Sequence, residues 1–367
     1  MPLLYPPMDP PAPIGASEWT TTLRVLRAVE QDPSLAPPDL ERLVARLHRA
    51  ARRRLRRAEA EICGDTPPPT DKHPCLVCGE TARVLAVDRP GWCLRCADQA
   101  QAHRHARADL RGRVALVTGG RLKLGLALAL KLLRDGAEVH VTTRHPDGAR
   151  ATYAAEPDAA DWWTRLHLHA LDLREPADAL RFAEGFGSPL DLLVHNAAQT
   201  LRDDADPWRN SWTLRLGEVP LAELLEVLAI NAAAPFALTQ GLLPALRRST
   251  FPDRYVISVV GADGQFGRPQ KTPTHPHVNA SKAALSMVTR TSAEPLAREG
   301  IYLCCVDPGW FSLEQPPAWR AALEARGRLP PLDTVDAAAR VYHPVRRGLA
   351  GDPAWGVLLR DYQEAPW

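Results

Sequence analysis

Short apolar runs alternate with stretches of helical apolar spacing over the C-terminal two thirds of the chain. The apolar runs have the length and composition of buried strands, and they occupy residues 113–118, 138–143, 166–171, 190–195, 254–260, 301–306 and 355–360. The stretches between them repeat apolar residues at helical spacing, which is the order of βαβ units. The pattern therefore predicts an α/β fold over residues 112–367, with a doubly wound, seven-stranded parallel sheet.

The first third of the chain has a different pattern. Six prolines within residues 1–13 predict a flexible, extended arm over 1–16. Ser17 can cap a first helix, and apolar residues from Leu40 to Leu55 recur at helical spacing, so a helical hairpin is predicted over 17–65. Eight arginines lie between Arg42 and Arg57. They form either a solvated helix face, which we prefer, or a surface for phosphates or an acidic partner.

Composition narrows the class of protein. Hydrophobic residues make up 45% of the 367 residues and charged residues 24%, with a net charge of +2. These values are typical of globular proteins and argue against nucleic acid as the main partner. No apolar run approaches the roughly 18 residues of a membrane span, and no basic start with an apolar stretch opens the chain. We expect a cytoplasmic protein that does not associate with membranes.

Four of the seven cysteines form two closely spaced pairs. Cys75 and Cys78 are separated by two residues, as are Cys93 and Cys96, and fourteen residues lie between the pairs. This spacing is typical of four thiolates on one tetrahedral zinc ion. The segment resembles a treble-clef or zinc-ribbon finger, so a structural zinc module with a linker helix is predicted over 66–111. The alternative is a set of reduced thiols without metal.

A glycine-rich turn follows the first predicted strand of the α/β domain. The sequence Thr118-Gly119-Gly120-Arg121-Leu122-Lys123-Leu124-Gly125 joins that strand to a helix, which brings a pyrophosphate to a helix N-terminus. Here the chain resembles the short-chain dehydrogenase/reductase family, with Lys123 in place of the middle glycine of the family's TGxxxGxG loop. Lys123 either crowds the phosphate or contacts it. The resemblance assigns to the cofactor Thr118, Gly119, Gly120, Arg121, Lys123 and Gly125.

Five further segments resemble motifs of the family and follow one another in the same order as in the family. They are Leu171-Asp172-Leu173, His195-Asn196-Ala197-Ala198, Ile230-Asn231-Ala232, Asn279-Ala280-Ser281-Lys282-Ala283-Ala284 and Val306-Asp307-Pro308-Gly309. The resemblance covers about residues 112–362 and implies a Rossmann domain in a homo-oligomer. It also implies further cofactor contacts from Asp172, Asn196, Ala197, Lys282, Pro308 and Gly309.

Arg144 follows the second predicted strand of this domain. An acidic residue at that point would bind a ribose 2′-hydroxyl, whereas the guanidinium of Arg144 can neutralise a 2′-phosphate. NADP is therefore favoured over NAD. The alternative is that Arg144 is only solvated.

The resemblance also implies a catalytic set with one departure. Lys282, Ser258 and Asn231 occupy the family's lysine, serine and asparagine positions, but Val278 stands where the family has its tyrosine. A lengthened stretch before Val278, expected to lie over the nicotinamide, carries His275 and His277. Either histidine could act as the acid. The alternatives are that His277 only starts a helix, that His275 lies in a loop, and that Ser258 is a buried strand residue.

Two functions fit these features. The first is an atypical NADP(H)-dependent oxidoreductase that moves a hydride to or from a small-molecule substrate, with a zinc module that contacts a protein partner or another copy of the chain. The second is an NADP(H)-binding pseudoenzyme whose zinc module recruits a protein. Nucleic-acid binding through the basic helix and the finger is the least favoured function.

Overall fold

The computed structural model describes residues 73–82, 85–86, 89, 91–199, 210–268, 271–325 and 329–367. These residues fall within one compact unit, Lys72–Trp367. The predicted arm over 1–16, the predicted hairpin over 17–65 and the first residues of the predicted zinc module lie outside the described residues.

The central sheet has eight strands within the part of the chain that the structure describes. They are β3 (Val114–Thr118), β4 (Glu138–Thr143), β5 (Leu166–Ala170), β6 (Leu192–His195), β7 (Arg254–Val259), β8 (Ile301–Asp307), β9 (Leu358–Arg360) and β10 (Gln363–Ala365). Their order is β10-β9-β8-β7-β6-β3-β4-β5. Every neighbouring pair from β5 to β9 is parallel. The seven predicted strands are all present, and the predicted doubly wound parallel sheet is confirmed.

The eighth strand was not predicted. β10 pairs antiparallel with β9 through a two-residue turn formed by Asp361 and Tyr362. Both residues have positive φ, 47° and 66°. Such turns favour Asn-Gly or Asp-Gly, because side chains other than glycine resist this conformation. The sequence Asp361-Tyr362 is not typical of such a turn, so it did not predict one. Packing around Tyr362 stabilises the turn instead, because the ring of His103 stacks on the ring of Tyr362 at 3.9 Å between centroids.

Helices cover both faces of the sheet. The helices are α1 (Leu94–Arg104), α2 (Lys123–Arg134), α3 (Pro146–Ala154), α4 (Ala159–Trp162), α5 (Pro176–Glu184), α6 (Leu221–Leu228), α7 (Ala234–Arg248), α8 (Pro276–Ala297), α9 (Pro317–Ala325) and α10 (Thr334–Leu349). One core packs α2 and α10 on one face, and a second packs α5, α7 and the C-terminal part of α8 on the other. The two short strands β1 (His73–Pro74) and β2 (Thr81–Ala82) form a separate ladder before α1.

One stretch of the described chain is long and apolar enough to cross a membrane. Residues Leu221–Arg248, which comprise α6, a π-helical turn and α7, reach a mean hydropathy of 1.6 in an 18-residue window. The expectation that no such stretch exists is therefore wrong by this criterion. A helix buried in the core of a globular domain can meet the same criterion. In α7, the buried residues Leu238, Leu242 and Leu246 pack in the second core.

Candidate nucleotide cleft and cysteine cluster

A cavity of about 640 Å³ opens at the carboxyl ends of the parallel strands. The loop between β3 and α2 and the segments that follow β4, β5, β6, β7 and β8 line it. The predicted cofactor residues at its surface are Gly119, Arg121, Lys123, Gly125, Arg144, Asp172, Asn196, Ala197, Lys282, Pro308 and Gly309. Thr118 and Gly120 are not part of the lining. The fold therefore brings together residues that are distant in sequence at the edge where α/β sheets bind ligands.

The glycine loop packs directly on the end of β6. The hydroxyl oxygen of Thr118 accepts hydrogen bonds from the backbone N–H groups of Asn196 and Ala197, both at 3.0 Å. The side-chain amide of Asn196 donates to the carbonyl of Thr118 at 3.0 Å. A Cβ on Gly119 would lie 2.9 Å from Cα of Ala197, and one on Gly125 would lie 2.4 Å from the Gly119 carbonyl oxygen. These two glycines are required by the close approach of backbone to backbone.

The N-terminus of α2 is open to the cavity. Leu122 precedes the helix, and no side chain caps it. The first N–H groups of a helix have no partner within the helix, so an uncapped N-terminus suits an anion such as a pyrophosphate. Lys123, at the family's glycine position, has a φ of 50°. Its Nζ lies 3.0 Å from Oγ of Ser312 and 2.5 Å from Oε1 of Glu314, so this side chain reaches across to the segment after β8.

Arg144 lies at the end of β4, beside the same cavity. Its side chain is exposed, and Nη2 is 3.4 Å from Oε1 of Gln199, a weak contact. Asp172 is paired with Arg174, whose Nη2 is 2.5 Å from a carboxylate oxygen; this hydrogen bond lowers the pKa of Asp172. β4 itself ends in Thr142 and Thr143. This end of the cavity thus offers a guanidinium to a ligand and no carboxylate on the strand end.

The structure places Lys282, Val278 and Asn231 at the cavity. Nζ of Lys282 donates to the carbonyl of Val259 at 2.9 Å. Val278 lies one turn earlier on α8, with 5% of its surface exposed. Asn231 lies in the π-helical turn between α6 and α7, accepts the N–H of Gln199 at 3.0 Å and donates to Oγ of Ser281 at 3.0 Å. Its side chain therefore links the segment after β6 to α8.

Three predicted catalytic residues do not line the cavity. Ser258 is buried within β7, and its Oγ accepts a hydrogen bond from the Thr289 hydroxyl at 3.2 Å. His275 is buried at the start of α8 and contacts the Thr274 hydroxyl at 3.0 Å. His277 is buried with Nε2 3.0 Å from a carboxylate oxygen of Glu223. The structure thus gives Ser258 a place in the sheet core and both histidines a place in the packing of α8.

The lengthened stretch before α8 only partly adjoins the cavity. Gly261, Ala262 and Arg268 line it. Further along, Thr274 forms a β-bridge with Arg215, and His275 packs on Trp212 at 4.6 Å between ring centroids. Only the first part of the stretch therefore lines the cavity, and its placement over the nicotinamide stays a prediction.

Asp307 is a site residue that sequence reasoning did not single out. It lies at the end of β8, is buried and lines the cavity. Its carboxylate accepts the N–H of Gly309 and the Nε2–H of Gln265, both at 3.0 Å. Burial raises the pKa of Asp307 and outweighs the hydrogen bonds and the nearby Arg268 and Arg360. The signal was present in the sequence, since Asp307 immediately precedes the Pro-Gly turn.

The four cysteines of the two CxxC pairs converge. Their Sγ atoms all lie within 4.8 Å of one another, and those of Cys78 and Cys93 are 4.0 Å apart. A tetrahedral Zn–S₄ centre with bonds of about 2.3 Å has S–S distances of about 3.8 Å. Backbone N–H groups of Val77 and Cys93 point at Sγ of Cys75, at 3.4 and 3.3 Å. The cluster could hold zinc, with all four positions taken by the protein.

Residues 113–321 match the family model for short chain dehydrogenases. The chain belongs to the short-chain dehydrogenase/reductase family. This is a family of NAD(P)-dependent oxidoreductases, and the match spans the sheet from β3 to β8 together with the cavity.

Two curated relatives and one solved structure are similar to this chain. An uncharacterized protein of Acanthamoeba polyphaga mimivirus, R665, is 30% identical over 342 residues, covering 75% of this chain and 72% of that protein. The rhamnolipids biosynthesis 3-oxoacyl-(acyl-carrier-protein) reductase of Pseudomonas aeruginosa is 31% identical over 218 residues. This similarity covers 56% of this chain and 76% of that protein. The structure of P. aeruginosa RhlG with NADP has a TM-score of 0.53 at 27% identity, covering 68% of this chain and 95% of that one.

Proposed function

We propose that this protein is an atypical NADP(H)-dependent oxidoreductase that transfers a hydride to or from a small-molecule substrate. The observation that carries the proposal is the meeting, in one cavity, of the open N-terminus of α2, the Arg144 guanidinium and the Lys282 ammonium group. The helix N-terminus suits a pyrophosphate, and Arg144 suits a 2′-phosphate. Lys282 would hold the nicotinamide ribose, as the family resemblance implies.

NADP rather than NAD is proposed as the cofactor. β4 ends in two threonines followed by Arg144, so no carboxylate on the strand end would repel a 2′-phosphate. The RhlG structure, which was solved with NADP, supports this choice by similarity. When bound, the reduced cofactor would supply the hydride.

The wall beside Lys282 has an apolar side chain where the family has its tyrosine. We propose that Val278 occupies that position, because it precedes Lys282 by one turn of α8 and lines the same cavity. A ketone reductase needs a positioned proton donor. Since His275 and His277 pack outside the cavity, water is the proton source favoured here. This favours substrates such as activated alkenes or imines, in which hydride transfer does not depend on a phenol.

The test is consumption of NADPH by the full-length protein with a panel of carbonyls, enones and imines. We expect turnover with an enone or an imine, and Lys282→Met should weaken NADPH binding and reduce turnover. Arg290→Met, an exchange on the same helix away from the cavity, is the control. Failure of the unmodified protein to bind NADPH would overturn the proposal.

A second candidate is an NADP(H)-binding pseudoenzyme that acts as an adaptor. What favours it is that Val278, at the proposed tyrosine position, is apolar and lines the cavity, while Ser258 lies in the sheet core and does not. A bound cofactor would then stabilise the fold by mass action. NADPH binding with no turnover across the panel would support this function over the first.

We also propose that Cys75, Cys78, Cys93 and Cys96 hold one structural zinc ion. Their sulfur atoms already lie near tetrahedral spacing, and the module they organise is joined to α10 by ion pairs of Arg89 and Arg104 with Asp336. In this arrangement the metal stabilises a segment that braces the Rossmann domain.

A further inference from the structure

A second group of side chains that could ligate a metal ion lies on β4 and the edge strand β5, away from the carboxyl ends that line the cavity. His140 of β4 is the register partner of His167 of β5. Glu138 precedes His140 by two residues, so its side chain is on the same face of the sheet. We propose that Glu138, His140 and His167 bind a divalent transition-metal ion of the zinc class.

The geometry suits tetrahedral coordination. Oε1 of Glu138 lies 3.3 Å from Nε2 of His140 and 3.0 Å from Nε2 of His167, and the three atoms all lie within 4.8 Å of one another. A tetrahedral zinc ion with bonds of about 2.0–2.1 Å sets its nitrogen and oxygen ligands about 3.3–3.4 Å apart. The carboxylate oxygen thus already lies at ligand spacing from both imidazole nitrogens. The rings of His140 and His167 are stacked at 4.5 Å between centroids with 23° between their planes, so the partly exposed His167 ring has to turn to direct its nitrogen at the shared ion.

Neighbouring side chains fix the orientation of His140, the most buried of the three proposed ligands. Nδ1 of His140 lies 2.9 Å from Nε2 of His169, which leaves Nε2 of His140 directed at Glu138. A hydrogen bond at the other ring nitrogen is the usual support of a metal-bound histidine. The ring of Phe186 packs edge-on against His140 at 4.9 Å between centroids. These contacts fix the ring before any ion binds.

The remaining two ligands face solvent. The side chains of Glu138 and His167 are 43% and 42% exposed. An ion can therefore enter directly, and a water molecule can complete the fourth position. The donor set of two imidazoles and one carboxylate is one that zinc accepts readily.

Zinc uptake by chelator-stripped full-length protein tests the site. We expect about two zinc ions per chain in the unmodified protein, one in the cysteine cluster and one here. His167→Ala should take up about one, whereas His105→Ala, which changes an exposed histidine outside the group, should take up two. Cobalt absorption separates the sites, because only the cysteine cluster gives thiolate charge-transfer bands. These bands should remain in His167→Ala.

The variant Glu138→Gln provides a second test. It replaces one carboxylate oxygen of a partly exposed ligand by an amide group and leaves the size of the side chain unchanged. Because Glu138 is proposed as a direct ligand, zinc binding at this site should weaken by more than the roughly tenfold that loss of an outer-shell partner costs. If the unmodified protein binds no zinc beyond the cysteine cluster, or if Glu138→Gln and His167→Ala both retain the second ion with unchanged affinity, the proposal is wrong. Either outcome can be read without any assay of NADPH turnover.

Discussion

Nη1 of Arg104, at the end of α1, lies 2.8 Å from Oδ1 of Asp336, a carboxylate in α10 whose side chain is fully buried. Arg89 reaches the other oxygen of Asp336 at 2.6 Å, and Arg104 also binds Asp333 at 2.6 Å. Asp333 caps the N-terminus of α10 and Asp336 lies in its first turn, where the helix dipole favours negative charge. Two arginines of the cysteine module thus attach it to the Rossmann domain.

Arg104→Met should destabilise the protein by about 1–3 kcal/mol, because it leaves a buried carboxylate with only part of its hydrogen bonding. Chemical denaturation measures this change in the free energy of unfolding. Arg111→Met is the matched control, since Arg111 pairs with exposed Asp109 and is itself 82% exposed. Its effect should stay within about 0.5 kcal/mol. Equal effects of the two exchanges would contradict a role for Arg104 in docking.

Cys78→Ser should remove one zinc ion per chain and expose residues 73–104 to proteolysis. The free energy of binding a structural metal is also folding free energy, so the module should unfold while the sheet remains. Elemental analysis and limited proteolysis measure the two effects. Cys304→Ala, an exchange at a buried cysteine of β8, should leave the zinc content unchanged. The zinc assignment fails if Cys78→Ser keeps the full metal content.

Arg144→Ala should lower the affinity for NADPH by roughly ten- to a hundred-fold, since a charge-assisted hydrogen bond contributes about 1.5–3 kcal/mol. Affinity for NADH should change little. Titration calorimetry measures both, and Arg150→Ala, an exposed arginine in α3, serves as the control. Tighter binding of NADH than of NADPH by the unmodified protein would be inconsistent with the NADP assignment.

Lys123→Gly and Lys123→Ala separate two effects at the glycine loop. Both exchanges remove the ion pair with Glu314, which is partly exposed and worth at most about 1 kcal/mol. Glycine alone relieves the left-handed backbone at φ 50°. We expect the glycine variant to be more stable than the alanine variant by roughly 1–2 kcal/mol. Thermal and chemical denaturation decide this, and equal stabilities would refute backbone strain at this position.

Val278→Tyr should place a phenol one turn before Lys282, at the surface of the cavity. Positioned proton transfer is worth about 10²–10⁴-fold, so ketone reduction should rise if the tyrosine position is the main deficiency. We expect a smaller gain, because Ala262 also lines the cavity and belongs to a turn that packs on α8. His275→Phe should leave native turnover intact, since His275 packs outside the cavity. Loss of turnover in His275→Phe would restore the histidine as the acid.

The sequence alone determined the sheet and the glycine loop. The central strands β3, β6, β7 and β8 are predictable because each is a mainly apolar run that is almost wholly buried. The loop is predictable because Gly119 and Gly125 meet the close backbone approaches of the turn. The two CxxC pairs are likewise local, since each pair brings two sulfur atoms together within one turn. The four-cysteine cluster was predictable for that reason.

Only the tertiary structure decided which side chains share a site. His275 and His277 lie close to Val278 in sequence, yet the packing of α8 against residues 212–223 directs both away from the cavity. The order of strands in the sheet places Asp307 at the cavity and His140 beside His167. The turn at Asp361 and Tyr362 depends on the stacking of His103. Such contacts join residues far apart in the chain, and hydrophobic periodicity reports the face a residue occupies but not the neighbour it meets.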